Sequence, residues 1–456
     1  MAESSIATYA LQFSHILPAD FLESLSLTQR VRQYCNVVVF WVWLAQILEA
    51  NASLSKAVSL VQCWCGEAGL PVPSGDTGAF SRGRGRLGEA FLAGASQRVR
   101  THLGARIRPE DTYKGHVVKS IDGSSLTLDD TASNQEQYPQ PTSQKAGCGF
   151  PVMGIMGVLN HAHGGWEDFV EGLQSAHDAP IFHKLMHCFE PGDLLCGDRA
   201  FCTYELMSTL DQRQVHTLMR LHQSRHRVLN WSRGKKLGKH QRLVTWKKPA
   251  KRPVGSTLND LEWAALPEEL QIRLIRFEYK DRAGSKRRMV LATTMTDSLR
   301  YDWRELAAIY AQRWDIELRL RDVKTTLAMD HLRVKTPATA RKTLTMSLIA
   351  YNLLKATSQQ AAHSTGQDLR LMSFKATLDT IVANTARYLR RQKHARLIKE
   401  IWTDTIEMIA AKIIDLRPGR HEPRAQKKRP KNFSYLTAPR ALYQEIPHRG
   451  KSRSFA

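Results

Sequence analysis

"GDLLCGDRAFCTYELMSTL", residues 192–210, reads as a short apolar strand that ends at Asp198 and runs into a helix. Upstream, "HVVKSIDGSSLTLDD", residues 116–130, alternates and is rich in Val, Ile, Leu and Thr, with Asp122-Gly123 at its middle, the pattern of a hairpin. Strands exchanging with helices in this way indicate an α/β domain. Asp122 and Asp198 are both expected where an apolar strand ends, so that their carboxylates project into a cleft and not into the core.

The flanking regions differ in character. Residues 1–108 carry apolar residues at helical spacing in "LPADFLESLSLTQRVRQYCNVVVFWVWLAQILEA", then a Gly/Pro-rich break. A second helical stretch follows, with Arg82, Arg84, Arg86, Arg98 and Arg100. A small helical DNA-binding domain and a charge-decorated surface helix both fit these residues. Residues 213–252 contain 13 Lys or Arg and no Asp or Glu. With the alternating "LQIRLIRFEYK" and "KRRMVLATTM" behind them, residues 205–294 read as a β-rich module with basic loops suited to a phosphate backbone. Trp231, Trp246 and Trp263 could stack on unpaired bases there, but burial in the module is the plainer reading. Helices dominate again from about 301 to 416, and the chain closes in a basic, Pro-rich tail.

The charge balance narrows the partners. Among 456 residues, Lys plus Arg outnumber Asp plus Glu by 66 to 43, for a net charge of +23 and an isoelectric point near 9.9. Such an excess favours a polyanion, either nucleic acid or an anionic membrane surface. The longest apolar run, Val37 to Leu48, is too short to span a bilayer and is interrupted by Gln46, and the first 30 residues lack a basic n-region and cleavage site. The chain therefore reads as an intracellular protein of two or three domains, with no membrane partner. Its seven scattered cysteines argue for reduced thiols, and Cys63 and Cys65 stand too close for a zinc knuckle.

"YAQRWDIELRLRDVK", residues 310–324, holds three acids in a helical pattern. On a wheel of about 100° per residue, Tyr310, Arg313, Glu317 and Lys324 fall within about 60° of one another. Ile316, Leu320, Val323 and Leu327 form an adjoining apolar stripe that would pack on the sheet. Asp315 and Asp322 point away and look solvated. Spacing alone leaves open whether this is a charged surface helix or a site. If it is a site, Glu317 could join Asp122 and Asp198 in holding divalent metals through oxygen ligands. Two such ions activate an attacking oxygen and stabilise a leaving one at a phosphodiester. Tyr310, Arg313 and Lys324 would then meet phosphates on either side.

The order Tyr310-x2-Arg313-x3-Glu317-x6-Lys324 resembles the Tyr-Arg-Glu-Lys signature of the insertion sequence 4 family of bacterial DDE transposases. "IDGSSLTLDDT" is similar to that family's first-aspartate motif, "GDRAFCTY" to its second, and "RPKNFSYLTAPR" to its C-terminal end. The resemblance covers the chain from about 110 onward, and the N-terminal helices more loosely. It implies an α/β ribonuclease-H-like catalytic core, in two parts at 109–204 and 295–370, around the β-rich basic insertion at 205–294. A helical N-terminal DNA-binding domain at 1–108 and a helical and basic C-terminal region at 371–456 complete the expected architecture. Asp122, Asp198 and Glu317 would be both catalytic and metal-binding, with Tyr310, Arg313 and Lys324 binding DNA phosphates. The implied cofactor is Mg2+, two ions, with Mn2+ able to substitute. The implied substrates are double-stranded DNA at the element's ends and at the target, met by a homodimer in a synaptic complex in the bacterial cytoplasm, associated with the nucleoid. This chain has Ser124 where the first motif commonly has Thr, which keeps the hydroxyl. Asp129 and Asp130 are rival first carboxylates, but they fall after the second strand of the expected hairpin.

An alternative is a catalytically silent, transposase-derived protein that binds or regulates DNA; a nuclease that cannot join strands is weaker. The three carboxylates and four signature residues favour activity. Elsewhere the plainer readings prevail: His161 and His163 as a loop pair, Arg220 and His222 as structural or nonspecific phosphate contacts, and Cys196 and Cys202, beside Asp198, as buried thiols.

Overall fold

The computed structural model describes residues 5–26, 33–173, 178–280, 285–391, 394–414 and 435–443. Its centre is a ten-stranded mixed sheet with strands β1 (Val118–Leu128), β2 (Val152–Asn160), β3 (Trp166–Leu173), β4 (Leu194–Gly197), β5 (His216–Arg220), β6 (Lys235–Gly238), β7 (Gln241–Lys247), β8 (Glu269–Lys280), β9 (Lys286–Thr293) and β10 (His331–Leu332). Nine strands lie in the order β3-β2-β1-β4-β5-β9-β8-β7-β6, and β10 adds to β1. β1 runs antiparallel to β2 and parallel to β4, and β4 runs parallel to β5. The strands of the basic region continue this same sheet, because β9 pairs antiparallel with β5.

The expected hairpin at Asp122-Gly123 does not form. Residues 118–128 are one uninterrupted strand that pairs along its length with β2, Asp122 opposite Gly157 and Gly123 opposite Met156. A two-residue turn of type I′ needs positive φ at both central residues, and neither residue has one. Pairing with β2 and β4, distant in sequence, outweighs the local turn preference, so Asp122 sits mid-strand and not at a strand end. Asp198 does follow the last residue of β4, and its carboxylate accepts from the Ala200 N–H at 2.7 Å to start a short 3-10 turn.

Apolar alternation sorts the sheet's surroundings. On one side Leu126, Leu128, Met153, Ile155, Trp166 and Phe169 join a large core with the helix Pro337–Thr365, the N-terminal helices and the helices Phe374–Leu389 and Ala395–Ala410. Residues from the two ends of the chain thus share one interior. The Val37–Leu48 run lies inside the buried helix Asn36–Leu48, and no described helix is long and apolar enough to cross a membrane. Several expected basic contacts are turned inward: Arg84 is buried over the Trp43 ring, 4.5 Å from its centroid, and Arg100 donates to the Glu167 carbonyl at 2.6 Å. Most of the basic C-terminal tail falls outside the described residues. Thr437, within the C-terminal motif, accepts from Lys145 Nζ through its carbonyl at 2.9 Å.

The helix Pro337–Thr365 is fastened to the sheet edge by one amide. Asn352, 1% exposed, accepts from the Trp166 N–H at 2.9 Å and donates to the Trp166 carbonyl at 2.8 Å. Asn352→Leu leaves both buried backbone groups without partners, at about 1–3 kcal/mol each. We expect a loss of about 2–5 kcal/mol of unfolding free energy, read as a lower urea midpoint at unchanged slope.

Candidate active site

The stretch 310–324 is not one straight helix. The helix Trp303–Gln312 ends in a tightened turn at Arg313 and Trp314, the helix Asp315–Arg321 follows, and residues Asp322–Thr326 form a π turn. Tight bonds mark the break: the Arg313 N–H reaches back to the Tyr310 carbonyl at 3.1 Å and the Glu317 N–H to the Trp314 carbonyl at 3.2 Å. The cause lies in what each piece covers. Val118 belongs to one apolar cluster, with Leu306, Ile309 and Tyr310, whereas Leu126 and Leu128 belong to another, with Ile316, Leu320, Val323 and Leu327. These β1 residues share one strand face, and between them that face carries Ser120, Asp122 and Ser124. The break spans this polar interval.

Arg313 fills the interval. The residue is 7% exposed, and its guanidinium lies 3.7 Å from Asp122 and 3.8 Å from Glu317. The pairing of Ser120 with Cys196, extended by two residues, sets Asp198 beside Asp122. Burial raises the Asp122 carboxyl above its ordinary value, its bond from the Gly123 N–H and the charge of Arg313 oppose this, and the charges of Glu317 and Asp198 raise it further. Glu317 and Asp198 are thus both close enough to Asp122 for their charges to act on it. Asp122 lines two open clefts. One, of about 720 Å³, includes Glu317, Lys324, Arg321, Thr325 and Asp330; the other, of about 360 Å³, includes Asp198. A separate cavity of about 430 Å³ behind the loop after Asp198 is largely apolar and holds none of the three acids. Phosphate and metal chemistry needs oxygen donors and access to water, which favours the acidic clefts.

The signature residues differ in exposure. Tyr310 is buried, and burial pushes its phenol up to about 12 despite the charge of Arg313. Lys324 lies 3.4 Å from the Ser124 hydroxyl and 3.3 Å from Asp330. Asp330 is not anticipated from the sequence, since it lies in a loop with no periodic pattern to single it out. Asp322 is not solvated as the wheel suggests: its side chain is 14% exposed and pairs with buried Arg319 at 3.4 Å. Asp315 is half-buried, and burial raises its carboxyl. Of the rival acids, Asp129 meets His331 at 3.1 Å and Asp130 accepts from Gln135 at 2.8 Å; neither lines the two acidic clefts.

The other motifs are absorbed by the fold. His161 and His163 lie in the turn after β2, His161 bonding Ser120 at 2.7 Å and buried His163 facing Glu167 at 3.5 Å. His222 caps a short helix by accepting from the Ser224 N–H, and Arg220 is exposed at the end of β5. Cys196 and Cys202 are buried free thiols, as is Cys65, and Cys63 is partly exposed. Trp246 and Trp263 are buried; Arg225 stacks on Trp246 at 3.9 Å, and Arg276 on half-buried Trp231 at 4.2 Å.

The family described as "Transposase DDE domain" matches residues 113–353, more than half of the chain. The chain belongs to the DDE transposase family. It is therefore a transposase, an enzyme acting on DNA. It is similar to the transposase InsG for insertion sequence element IS4 of Escherichia coli (strain K12), with 25% identity over 432 residues, 92% of this chain and 90% of that protein. A cryo-EM structure of the piggyBac transposase synaptic complex with hairpin DNA aligns at a TM-score of 0.44 and 10% identity, covering 92% of this chain and 87% of that one. Membership in the DDE family implies use of a divalent metal. Asp122, Asp198 and Glu317 offer the hard oxygen donors that such ions take, although among the described residues no three His, Cys, Asp or Glu side chains are already gathered as a metal cage.

Removing Arg313 from this transposase isolates the mutual repulsion of the acids. In Arg313→Met the Asp122 carboxyl rises further, so the variant's stability deficit is smallest below about pH 4, where carboxyls are protonated. It grows as pH rises through the raised value, to about 1–3 kcal/mol at neutral pH for a partly exposed pair. Urea midpoints across this pH range check the trend.

Proposed function

We propose that Asp122, Asp198 and Glu317 are the catalytic carboxylates of a ribonuclease-H-like core and hold two Mg2+ ions, with Mn2+ able to substitute. What supports this reading is Arg313, set within 4 Å of both Asp122 and Glu317 where one strand face passes from one apolar cluster to the next. A cation is already needed there to balance acids that like-charge repulsion would otherwise separate. When bound, the metals supply Lewis acidity at a phosphodiester. The sheet order β3-β2-β1-β4-β5, antiparallel then parallel, supports the ribonuclease-H-like assignment.

In this reading, Lys324 and Arg313 bind phosphates flanking the scissile bond by charge-assisted hydrogen bonds. The Tyr310 phenol, held un-ionised, orients Arg313 and meets phosphate when DNA seats. Water first cleaves the strand at each element end and frees a 3′-hydroxyl, which then attacks a second phosphodiester, in the opposite strand or in target DNA. The same carboxylates serve both steps, giving cut-and-paste transposition. Two ends must be joined, which calls for a homodimer in a synaptic complex on double-stranded DNA, at the nucleoid of a bacterial cytoplasm. Residues 1–108 and the basic insertion, 205–294, hold the DNA outside the catalytic parts, 109–204 and 295–370, while 371–456 completes the helical shell and adds the basic tail.

With Mg2+ and the DNA flanking the encoding gene, the protein is expected to nick at inverted-repeat ends. Glu317→Gln should lower cleavage at least 100-fold while DNA binding survives; binding without nicking by the unaltered protein would sink the reading. A second measurement addresses the insertion. Lys235, Lys236 and Lys239 are exposed, and reversing them to Glu should weaken DNA binding and flatten its logarithmic salt slope by about 0.9 for each phosphate left un-neutralised. An unchanged slope would leave them as ordinary surface lysines.

A further inference from the structure

Lys324 and Asp330 form an ion pair, 3.3 Å between amine and carboxylate, in the cleft that Asp122 and Glu317 also line. Backbone bonds fix both residues there. After the π turn Asp322–Thr326 the chain folds back on itself: the Leu327 N–H donates to the Asp322 carbonyl at 3.1 Å, the Met329 N–H to Val323 at 3.4 Å and the Asp330 N–H to Lys324 at 3.1 Å. The reversal passes through Ala328 at a φ of 54°, a conformation costly to a residue with a Cβ. It persists because Leu327 and Met329, on either side, are fully buried. The Asp330 carbonyl then accepts from the Thr127 N–H at 3.0 Å, and His331 pairs with Thr127 in parallel register. The Asp330 backbone is thereby tied both to Lys324 and to β1, the strand that carries Asp122.

Stability does not account for this pair. The Asp330 side chain is 75% exposed and that of Lys324 26%, and ion pairs with an exposed partner contribute little to folding. What the pair changes is the charge that an arriving polyanion meets. The Lys324 amine lies 3.4 Å from the Ser124 hydroxyl as well as 3.3 Å from Asp330. A phosphate oxygen accepting from the same amine comes within about 6 Å of the Asp330 carboxylate, two N–H···O contacts away. That is inside the screening length of about 8 Å at physiological salt, so the two anions repel. Asp330 has to give way, and its exposed side chain has room to turn aside.

We propose that Asp330 is a placeholder for the substrate phosphate, holding Lys324 in the DNA-free protein and displaced when a DNA phosphate seats. A carboxylate resembles a phosphate in charge and in its acceptor oxygens. It therefore keeps the ammonium facing the cleft while no DNA is bound. The cost falls on binding, since DNA has to outcompete a tethered anion for the same amine. The inference deepens the proposed function and rests on Lys324 binding phosphate.

A double-mutant cycle on the element's terminal DNA, bound in EDTA, tests it. Asp330→Asn is expected to bind about 3–10-fold more tightly than the parent, because Lys324 is no longer contested. In a Lys324→Met background the same change should alter affinity by less than about 2-fold, since the phosphate has no donor at that position. Asp330→Glu keeps the charge and should stay within about 2-fold of the parent. Urea midpoints should remain close to the parent's, as an exposed pair requires. Equal gains in both backgrounds would overturn the proposal by assigning Asp330 to general repulsion of DNA. Weaker binding by Asp330→Asn, or a marked fall in its urea midpoint, would overturn it as well, the first by making Asp330 a supporter of Lys324 and the second by making the pair structural. A Lys324→Met protein that binds DNA as tightly as the parent would instead remove the phosphate role of Lys324 itself, so the two failures are distinct.

Discussion

The Arg313 guanidinium stands between Asp122 and Glu317, where it relieves like-charge repulsion among neighbouring carboxylates. Asp122 comes from the middle of a central strand and Asp198 follows the end of its parallel neighbour, both half-sheltered from water, while Glu317 comes from a helix and is more exposed. Carboxylates so placed repel one another more strongly than at a free surface. A guanidinium 3.7 Å from Asp122 and 3.8 Å from Glu317 offsets part of that repulsion. It enters because the helix breaks at Arg313 and Trp314, and the break falls between two apolar clusters on one strand face. Backbone geometry, packing and charge meet at that one residue.

The helical shell makes this arrangement a property of the whole chain. Leu92, Val99 and Leu103 from the N-terminal region share a core with Leu344, Ile349 and Leu353 of the helix Pro337–Thr365 and with Ile406 and Ile409 nearer the C-terminus. The same core takes in Ile316, Leu320 and Val323 behind Glu317. In a DDE transposase this matters because the acid-bearing segment is short and twice interrupted, so its orientation comes from what it is packed against.

The legible features are the local ones. An apolar run ending at Asp198 and giving way to a helix depends on neighbours in sequence, and β4 and the helix Tyr204–Gln212 form as expected, with a short 3-10 turn between them. The wheel separates Glu317 from Asp315 and Asp322 because side-chain direction in a helix follows from spacing alone. The same wheel assumes an unbroken, solvated helix. It therefore misses the turn at Arg313 and the burial of Asp322 against Arg319. Asp122-Gly123 misleads for a related reason: a turn-prone pair carries no record of the strands that will lie on either side of it. Asp330 leaves no trace at all, since a loop residue has no period.

The amino-acid sequence alone determined the class of the protein: strands alternating with helices, a large excess of cations facing a polyanion, and an ordered set of acids and bases at family spacing. These are properties of composition and of short-range geometry, which any folded form must respect. Only the tertiary structure decided that Asp122 lies mid-strand, that Arg313 stands between two acids, and that Asp322 turns inward while Glu317 faces the cleft. Each of those outcomes depends on contacts between residues far apart in the chain, where burial and pairing free energies exceed the fraction of a kilocalorie by which local propensities differ.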